Sequence, residues 1–384
     1  MRFEFATSSR IIFGSGALKE IAPLALEMGN SAFIVTGKNL DRAAPLLNLL
    51  QEKEINTFTF CVSEEPTTHI ILEGVQKAKD AKSNIVIGFG GGSVIDAGKA
   101  IAALLSNNGD LFDYLEVIGK AKPLDYQPLP YIAIPTTAGT GAEVTRNAVL
   151  LSPEHKVKVS MRSPLMLPRL ALVDPLLTHS MPPSVTASTG LDALTQLIEP
   201  FLSIKANPVT DGICREGLRL AARSLKNAFD DGSNAAARED MALASLFGGL
   251  ALANSALGAV HGFAGPIGGM FAAPHGIICA RLLPFVMEAN YIALKTRSPK
   301  SPALDRFHEL AWIFTGKISA KAQDAVSWIQ NLCAELKVPS LSQFGLNTND
   351  IPKVVKKAKN SNSMKGNPVS LSDRELIDIM ERSL

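Results

Sequence analysis

The sequence predicts an α/β half built on a parallel sheet, followed by an all-helical half. Three observations carry that expectation. Up to about residue 180, short β-branched apolar runs alternate with segments of helical periodicity. From Pro183 onward only helical periodicity continues. And in the first half an apolar run meets a glycine cluster and re-emerges as a helix. The 384 residues are enough for two cores, and the division is expected at residues 1–180 and 181–384.

Ala32–Thr36, Thr57–Val62, Ile85–Gly88, Tyr131–Ile134 and Leu170–Val173 are short and rich in β-branched and aromatic side chains, so they read as strands. The stretches 16–28, 39–53, 69–81 and 93–106 read as the helices between them, an alternation that covers both faces of a sheet. In the second half 184–203, 208–229, 236–257, 277–293, 303–315, 320–336 and 372–383 carry helical periodicity. Residues 359–371, with Asn, Ser, Lys and Gly throughout, read as a surface loop.

The strand-to-helix junction is Gly88-Phe89-Gly90-Gly91-Gly92-Ser93-Val94-Ile95-Asp96-Ala97-Gly98-Lys99. Glycines let the backbone approach an anion, and a helix start offers unpaired N–H groups with a favourable dipole. Ser93 is placed to cap that helix. The spacing is not the G-x-G-x-x-G dinucleotide fingerprint, so the reading is of a phosphate-binding turn, against the alternative of a plain tight turn. A second stretch, Pro135-Thr136-Thr137-Ala138-Gly139-Thr140-Gly141-Ala142-Glu143-Val144-Thr145, follows the strand ending at Ile134. Thr136, Thr137 and Thr140 can donate hydrogen bonds to nucleotide oxygens while the glycines keep the walls low.

Composition excludes other classes. Lys and Arg number 38 against 36 Asp and Glu, a net charge of +2, and no basic run offers a footprint for nucleic acid. Cys61, Cys214, Cys279 and Cys333 form no CxxC pair and read as free thiols of a reducing compartment. Met1-Arg2-Phe3-Glu4-Phe5 has no signal-peptide profile, so a cytoplasmic location is expected. From Met241 to Ala280 there is no Lys, Arg, Asp or Glu, which invites a membrane span. The run nevertheless carries Asn254, His261 and His275, is broken by Pro266 and Pro274, and lacks flanking basic asymmetry. It reads as buried helices around a polar site.

Taken with Gly190-Leu191-Asp192-Ala193-Leu194-Thr195 and the 257–290 stretch, the two glycine-rich motifs resemble those of the iron-containing (group III) alcohol dehydrogenases, in the same order and over essentially the whole chain. The resemblance implies an α/β dinucleotide-binding domain followed by a helical metal- and substrate-binding domain, usually in a homo-oligomer. The activity it implies is hydride transfer between a nicotinamide cofactor and a small alcohol or carbonyl compound. Gly90, Gly91, Gly92, Ser93 and Asp96 would bind the cofactor with Thr136, Thr137 and Thr140. Lys158, sixteen residues before Asp174, has the spacing of a lysine that such enzymes place near the cofactor.

The resemblance also implies one divalent ion, iron, zinc or nickel, held by an Asp and three His. Asp192, His261 and His275 fall on three of those positions, and the two histidines double as catalytic candidates. Gln196 stands at the fourth; it shares a helix face with Asp192, and its amide oxygen is a weaker neutral ligand than imidazole. Where many relatives have a further His, four residues after His261, this chain has Gly265. Cofactor choice turns on Gly37 and Lys38. A carboxylate at that strand end would favour NAD(H), whereas glycine leaves room for a 2′-phosphate and lysine supplies charge, so NADP(H) is favoured. The alternatives are a metal-independent reductase of an activated carbonyl such as a keto acid, resembling maleylacetate reductases, a glycerol-dehydrogenase-like polyol enzyme, and a nucleotide-binding protein without catalysis.

Overall fold

A computed structural model describes residues 2–384. In the first half eight strands form: β1 (Ile11–Phe13), β2 (Ser31–Thr36), β3 (Asn56–Cys61), β4 (Ile85–Gly90), β5 (Tyr131–Pro135), β6 (Asn147–Ser152), β7 (Val157–Arg162) and β8 (Leu170–Val173). Six of them make one all-parallel sheet in the order β1-β8-β5-β4-β2-β3. The helices between them are α1 (Ile21–Leu26), α2 (Ala44–Gln51), α3 (Thr68–Asp80), α4 (Gly92–Ser106) and the single turn α5 (Leu111–Tyr114).

The period-two alternation of the strands sorts their side chains onto two buried faces. Phe33, Val35, Phe60, Val86, Tyr131 and Ala133 join one core with residues of α3 and α4. Ala32, Ile34, Ile85, Ile87, Ile132, Ile134, Leu170 and Leu172 join the other with residues of α1 and α2. A parallel sheet covered on both faces explains why these strands read as continuous apolar runs.

Two parts of this half differ from expectation. β1 is three residues on the sheet edge, too short to give a pattern. β6 and β7 form a separate antiparallel pair, Asn147↔Arg162 to Ser152↔Val157, in which β7 alternates apolar and polar residues while β6 carries the apolar run Ala148–Leu151. That pair is anchored by Lys99, which is 1% exposed. Its ammonium pairs with Asp96 at 3.1 Å and donates to Ala142 O and Thr145 Oγ1, each at 2.9 Å, and to Asn147 O. Asp96 in turn accepts from the Val149 amide at 3.0 Å.

The second half is helical: α6 (Pro183–Leu202), α7 (Pro208–Asp230), α8 (Ala235–Ser255), α9 (Ala259–Met270), α10 (His275–Arg297), α11 (Pro302–Thr315), α12 (Ala322–Glu335), α13 (Ile351–Lys359) and α14 (Asp373–Ser383). The α/β-then-helical expectation is met. By compactness one unit comprises Ala6–Thr137 with Gly141–His179, and the other is built on Ser180–Leu384 together with Ala138–Thr140. α9 is an addition, since its Gly/Pro-rich sequence hides a helix that tolerates Pro266 inside it. α13 is a second addition. The surface-loop reading of 359–371 is corrected: Gly366 and Asn367 are buried, and Asn367 Oδ1 accepts from the Ala259 amide at 3.1 Å.

The uncharged run from Met241 to Ala280 is spent on the end of α8, on α9 and on the start of α10. α8 and α9 bend by 100° at Ala256, whose φ of 62° and ψ of 163° lie in a region normally left to glycine. Among the described residues one helix, α10, is long and apolar enough to cross a membrane, and 61% of its most apolar window is buried inside the molecule.

Candidate active site

In the α/β unit, β2, β4 and β5 lie side by side and parallel, so the segments after Thr36, Gly90 and Pro135 emerge at one edge of the sheet. Chain direction across the sheet reverses between β2 and β4, since β3 lies outside β2 and β5 outside β4. The crevice at the carboxyl ends there is where doubly wound sheets take ligands. Thr136 N donates to Gly90 O at 2.9 Å, tying the two motifs together. The Thr137 side chain stands 3.4 Å from where a Cβ on Gly91 would be.

Glycine is required at Gly90, where a Cβ would stand 2.6 Å from Val94 Cγ2 and block the turn into α4. Gly91 is extended rather than left-handed, and it, not Ser93, is the N-cap. Ser93 is therefore corrected from cap to second helical residue, and no side chain caps α4. A helix opening without a side-chain cap leaves its first N–H groups to an anionic ligand. Gly37 follows β2, and a Cβ there would meet nothing within 4 Å; Lys38 beside it is exposed.

The other expected cofactor residues are placed differently. The Asp96 carboxylate holds Lys99 and the Val149 amide, at the root of the β6–β7 pair. Lys158, on β7 with its side chain 6% exposed, pairs with Glu65 at 2.7 Å. Thr140 belongs by compactness to the helical unit, where Gly139 approaches Thr189 so closely that a Cβ would lie 2.5 Å from Thr189 Cβ.

In the helical unit α6, α9 and α10 bring Asp192, His261, His275 and Cys279 together, with one donor atom of each within 4.8 Å of all the others. Asp192 Oδ1 faces His261 Nε2 at 3.4 Å and His275 Nε2 at 3.7 Å. Cys279 Sγ lies 3.8 Å from His261 Nε2 and 3.7 Å from His275 Nε2. The His275 side chain is 35% exposed, whereas those of Asp192 and His261 are buried. Asp192 Oδ1 is buried without a hydrogen-bond partner, a costly state for a carboxylate oxygen unless something else fills its valence. A divalent cation fits that donor set of carboxylate, two imidazoles and thiol.

The start of α9 aims His261. Val260 N donates to Glu199 Oε1 at 2.7 Å, and the other Glu199 oxygen lies 2.6 Å from His261 Nδ1. In the neutral form that binds a metal, Nδ1–H donating to Glu199 leaves Nε2 as the lone-pair nitrogen facing the cluster. Gly258 is needed beneath this contact, since a Cβ would stand 2.9 Å from Glu199 Oε1. Gln196 Nε2 donates to Asp192 Oδ2 at 3.0 Å, fixing the carboxylate from its far side.

Burial disfavours charge on His261, but Cys279, Asp192 and Glu199 around it outweigh that and hold its pKa well above the usual imidazole value. For Asp192, too, burial is opposed by His275 and His261, which keep it below the ordinary carboxylate range. Burial pushes the Cys279 thiol up to about 12. The cluster is thus a set of groups that a cation would have to deprotonate in part.

The structure therefore brings together Asp192, His261 and His275, with Gln196 touching Asp192. Sequence reasoning missed Cys279 and Glu199. Cys279 is four residues after His275, the helical spacing for a shared face; Glu199 lies three after Gln196 and seven after Asp192 on the same stripe of α6. Gly265, in α9, has open space where a Cβ would be.

Two family models match the chain. "Iron-containing alcohol dehydrogenase" matches residues 8–175, and "Fe-containing alcohol dehydrogenase family, C-terminal" matches residues 186–384. Alcohol dehydrogenase 4 of Saccharomyces cerevisiae is 33% identical over 377 residues, 97% of this chain and 96% of that protein. The 1,3-propanediol dehydrogenase of Klebsiella pneumoniae is 34% identical over 394 residues, 99% of this chain and 98% of that one. Among solved structures, a 1,3-propanediol oxidoreductase superposes with a TM-score of 0.93 at 32% identity, covering 100% of both chains.

Proposed function

The chain belongs to the iron-containing alcohol dehydrogenase family and is an NAD(P)-dependent oxidoreductase of alcohols and carbonyls, and from that premise we propose that Asp192, His261 and His275 hold its divalent ion. The observation that carries this is the buried, unpartnered Asp192 Oδ1 facing both imidazoles. Bound there, a divalent ion supplies a Lewis acid for the substrate oxygen. The nicotinamide supplies the hydride chemistry.

The chain's own residues do the rest. Glu199 fixes the tautomer and direction of His261. Gln196 holds Asp192 in place. Gly265, one turn after His261 on α9, offers no side chain to relay the alcohol proton. The uncapped start of α4 and the Thr136 and Thr137 segment receive the pyrophosphate. Open space at Gly37 beside exposed Lys38 supports NADP(H) over NAD(H).

The substrate is read as a small primary alcohol and its aldehyde, the Klebsiella relative being a 1,3-propanediol dehydrogenase. The polyol and metal-free alternatives are not favoured by the relatives, which are named as alcohol and 1,3-propanediol dehydrogenases. Free Cys61, Cys214, Cys279 and Cys333 suit a reducing cytoplasm, and a homo-oligomer is expected from the family likeness. The test is elemental analysis of protein purified without chelator, with NADPH and NADH oxidation measured on small aldehydes before and after EDTA. Stoichiometric metal, with turnover lost on chelation and restored by a divalent ion, is the expected result. Metal-free protein with turnover indifferent to EDTA would overturn it.

A further inference from the structure

We propose that Cys279, and not Gln196, completes the donor set, giving one carboxylate oxygen, two imidazole nitrogens and one thiolate sulfur around the ion. This rests on the metal site read above. With metal–ligand bonds of about 2.0–2.3 Å, the corners of a tetrahedron stand roughly 3.3–3.8 Å apart. The distances between donors are 3.4 Å for Asp192 Oδ1 to His261 Nε2, 3.7 Å for Asp192 Oδ1 to His275 Nε2, 3.8 Å for Cys279 Sγ to His261 Nε2 and 3.7 Å for Cys279 Sγ to His275 Nε2. Four of the six edges of the figure are thus in place, with the sulfur as one corner, and the substrate oxygen would join as a fifth ligand.

Gln196 stands outside that figure. Its Nε2 is engaged with Asp192 Oδ2, whereas the donors gather on Oδ1. Turning the amide over would set its oxygen against a carboxylate oxygen. Its Oε1 is also buried without a hydrogen-bond partner, but it lies toward α8, 3.4 Å from where a Cβ on Gly248 would stand. Gln196 is therefore a positioning residue for Asp192, and the loss of a histidine there is answered from α10. His275 opens α10 and Cys279 follows one turn later, so the two donors share a face.

The chemical consequence is a softer site. As the sulfur–metal bond forms, the thiol proton leaves to solvent. Thiolate beside imidazole suits zinc better than iron, which the harder set of one carboxylate and three imidazoles accommodates. Zinc is the ion this site selects.

Cobalt(II) reports the sulfur directly. Protein stripped by chelator and loaded with cobalt is expected to show visible d–d bands together with a near-ultraviolet sulfur-to-cobalt charge-transfer band. That band disappears in Cys279→Ser and Cys279→Ala and persists in Gln196→Leu; all are made in a Cys61→Ser background to remove the exposed thiol. X-ray absorption of the zinc-loaded wild-type chain needs no variant to fold, and is expected to find one sulfur at about 2.3 Å. Cobalt bound with d–d bands but no Cys279-dependent charge transfer, and a zinc edge without sulfur, overturns the proposal and leaves the metal site standing. A stripped protein that takes up neither ion overturns both.

Discussion

His261 Nδ1 lies 2.6 Å from Glu199 Oε2, both side chains buried, and this pairing turns the other imidazole nitrogen toward Asp192 and Cys279. The same carboxylate accepts the Val260 amide, so it aims the ligand and secures the helix that carries it. Glu199→Gln offers the imidazole only a neutral acceptor, and its NH2 group would face one of two N–H donors. Outer-shell partners of this kind are worth about 10–100-fold in metal affinity. The variant is expected to lose its ion to chelator that much more readily, with unchanged far-ultraviolet circular dichroism. Retention equal to wild type would mean that His261 needs no partner.

Much of this was legible in the sequence. β2, β4 and β5 announce themselves because a doubly covered parallel strand must be apolar along its whole length. Asp192, His261 and His275 stand out as polar residues in apolar helices. Glu199 does not, because an acidic residue near a helix end has many ordinary explanations. Nor does Cys279, whose role depends on α10 starting at His275, a boundary concealed by the Gly/Pro-rich segment before it. Asn367 was beyond reach, since its contact with Ala259 spans 108 residues. Ser93 misled because Ser is a common N-cap, while here Gly91 occupies that position.

The proposed NADP(H) preference is open to test at one position. A Cβ at Gly37 would stand in open space, so Gly37→Asp is expected to fold normally and to place a carboxylate at the end of β2. It would repel a 2′-phosphate and accept from a 2′-hydroxyl. The ratio of kcat/KM for NADPH to that for NADH is expected to fall by at least ~10-fold, equivalent to about 1.4 kcal/mol of discrimination. A ratio unmoved by the substitution would place the ribose elsewhere.

The bend that carries His261 into the site is held at a strained residue. Ala256 has φ 62° and ψ 163°, a conformation open to glycine and costly for alanine. Relief of that strain outweighs the added freedom of the unfolded chain, so Ala256→Gly is expected to stabilise the helical unit by about 1 kcal/mol. The check is the denaturant midpoint of the variant against wild type. A loss of stability would show that the α8–α9 bend is unstrained.

Glu143 gives the α/β unit a pH dependence whose sign follows from its burial. Burial raises its carboxyl pKa to about 7, outweighing its own backbone hydrogen bond and the nearby Lys99 ammonium. In the unfolded chain the same group titrates near its ordinary value of 4.5. Below the lower value both states are protonated and the group costs nothing. Between the two values the unfolded chain has released the proton while the folded one retains it, so stability falls as pH rises. Above the upper value both are ionised and the full cost, on the order of 3 kcal/mol, is in place. Glu143→Gln carries no such charge. The variant is expected to match wild type near the acidic end and to exceed it increasingly up to mildly alkaline pH, read from paired urea midpoints. A difference between the two proteins that stays constant with pH would show that Glu143 is ionised in the folded chain at ordinary carboxylate pH.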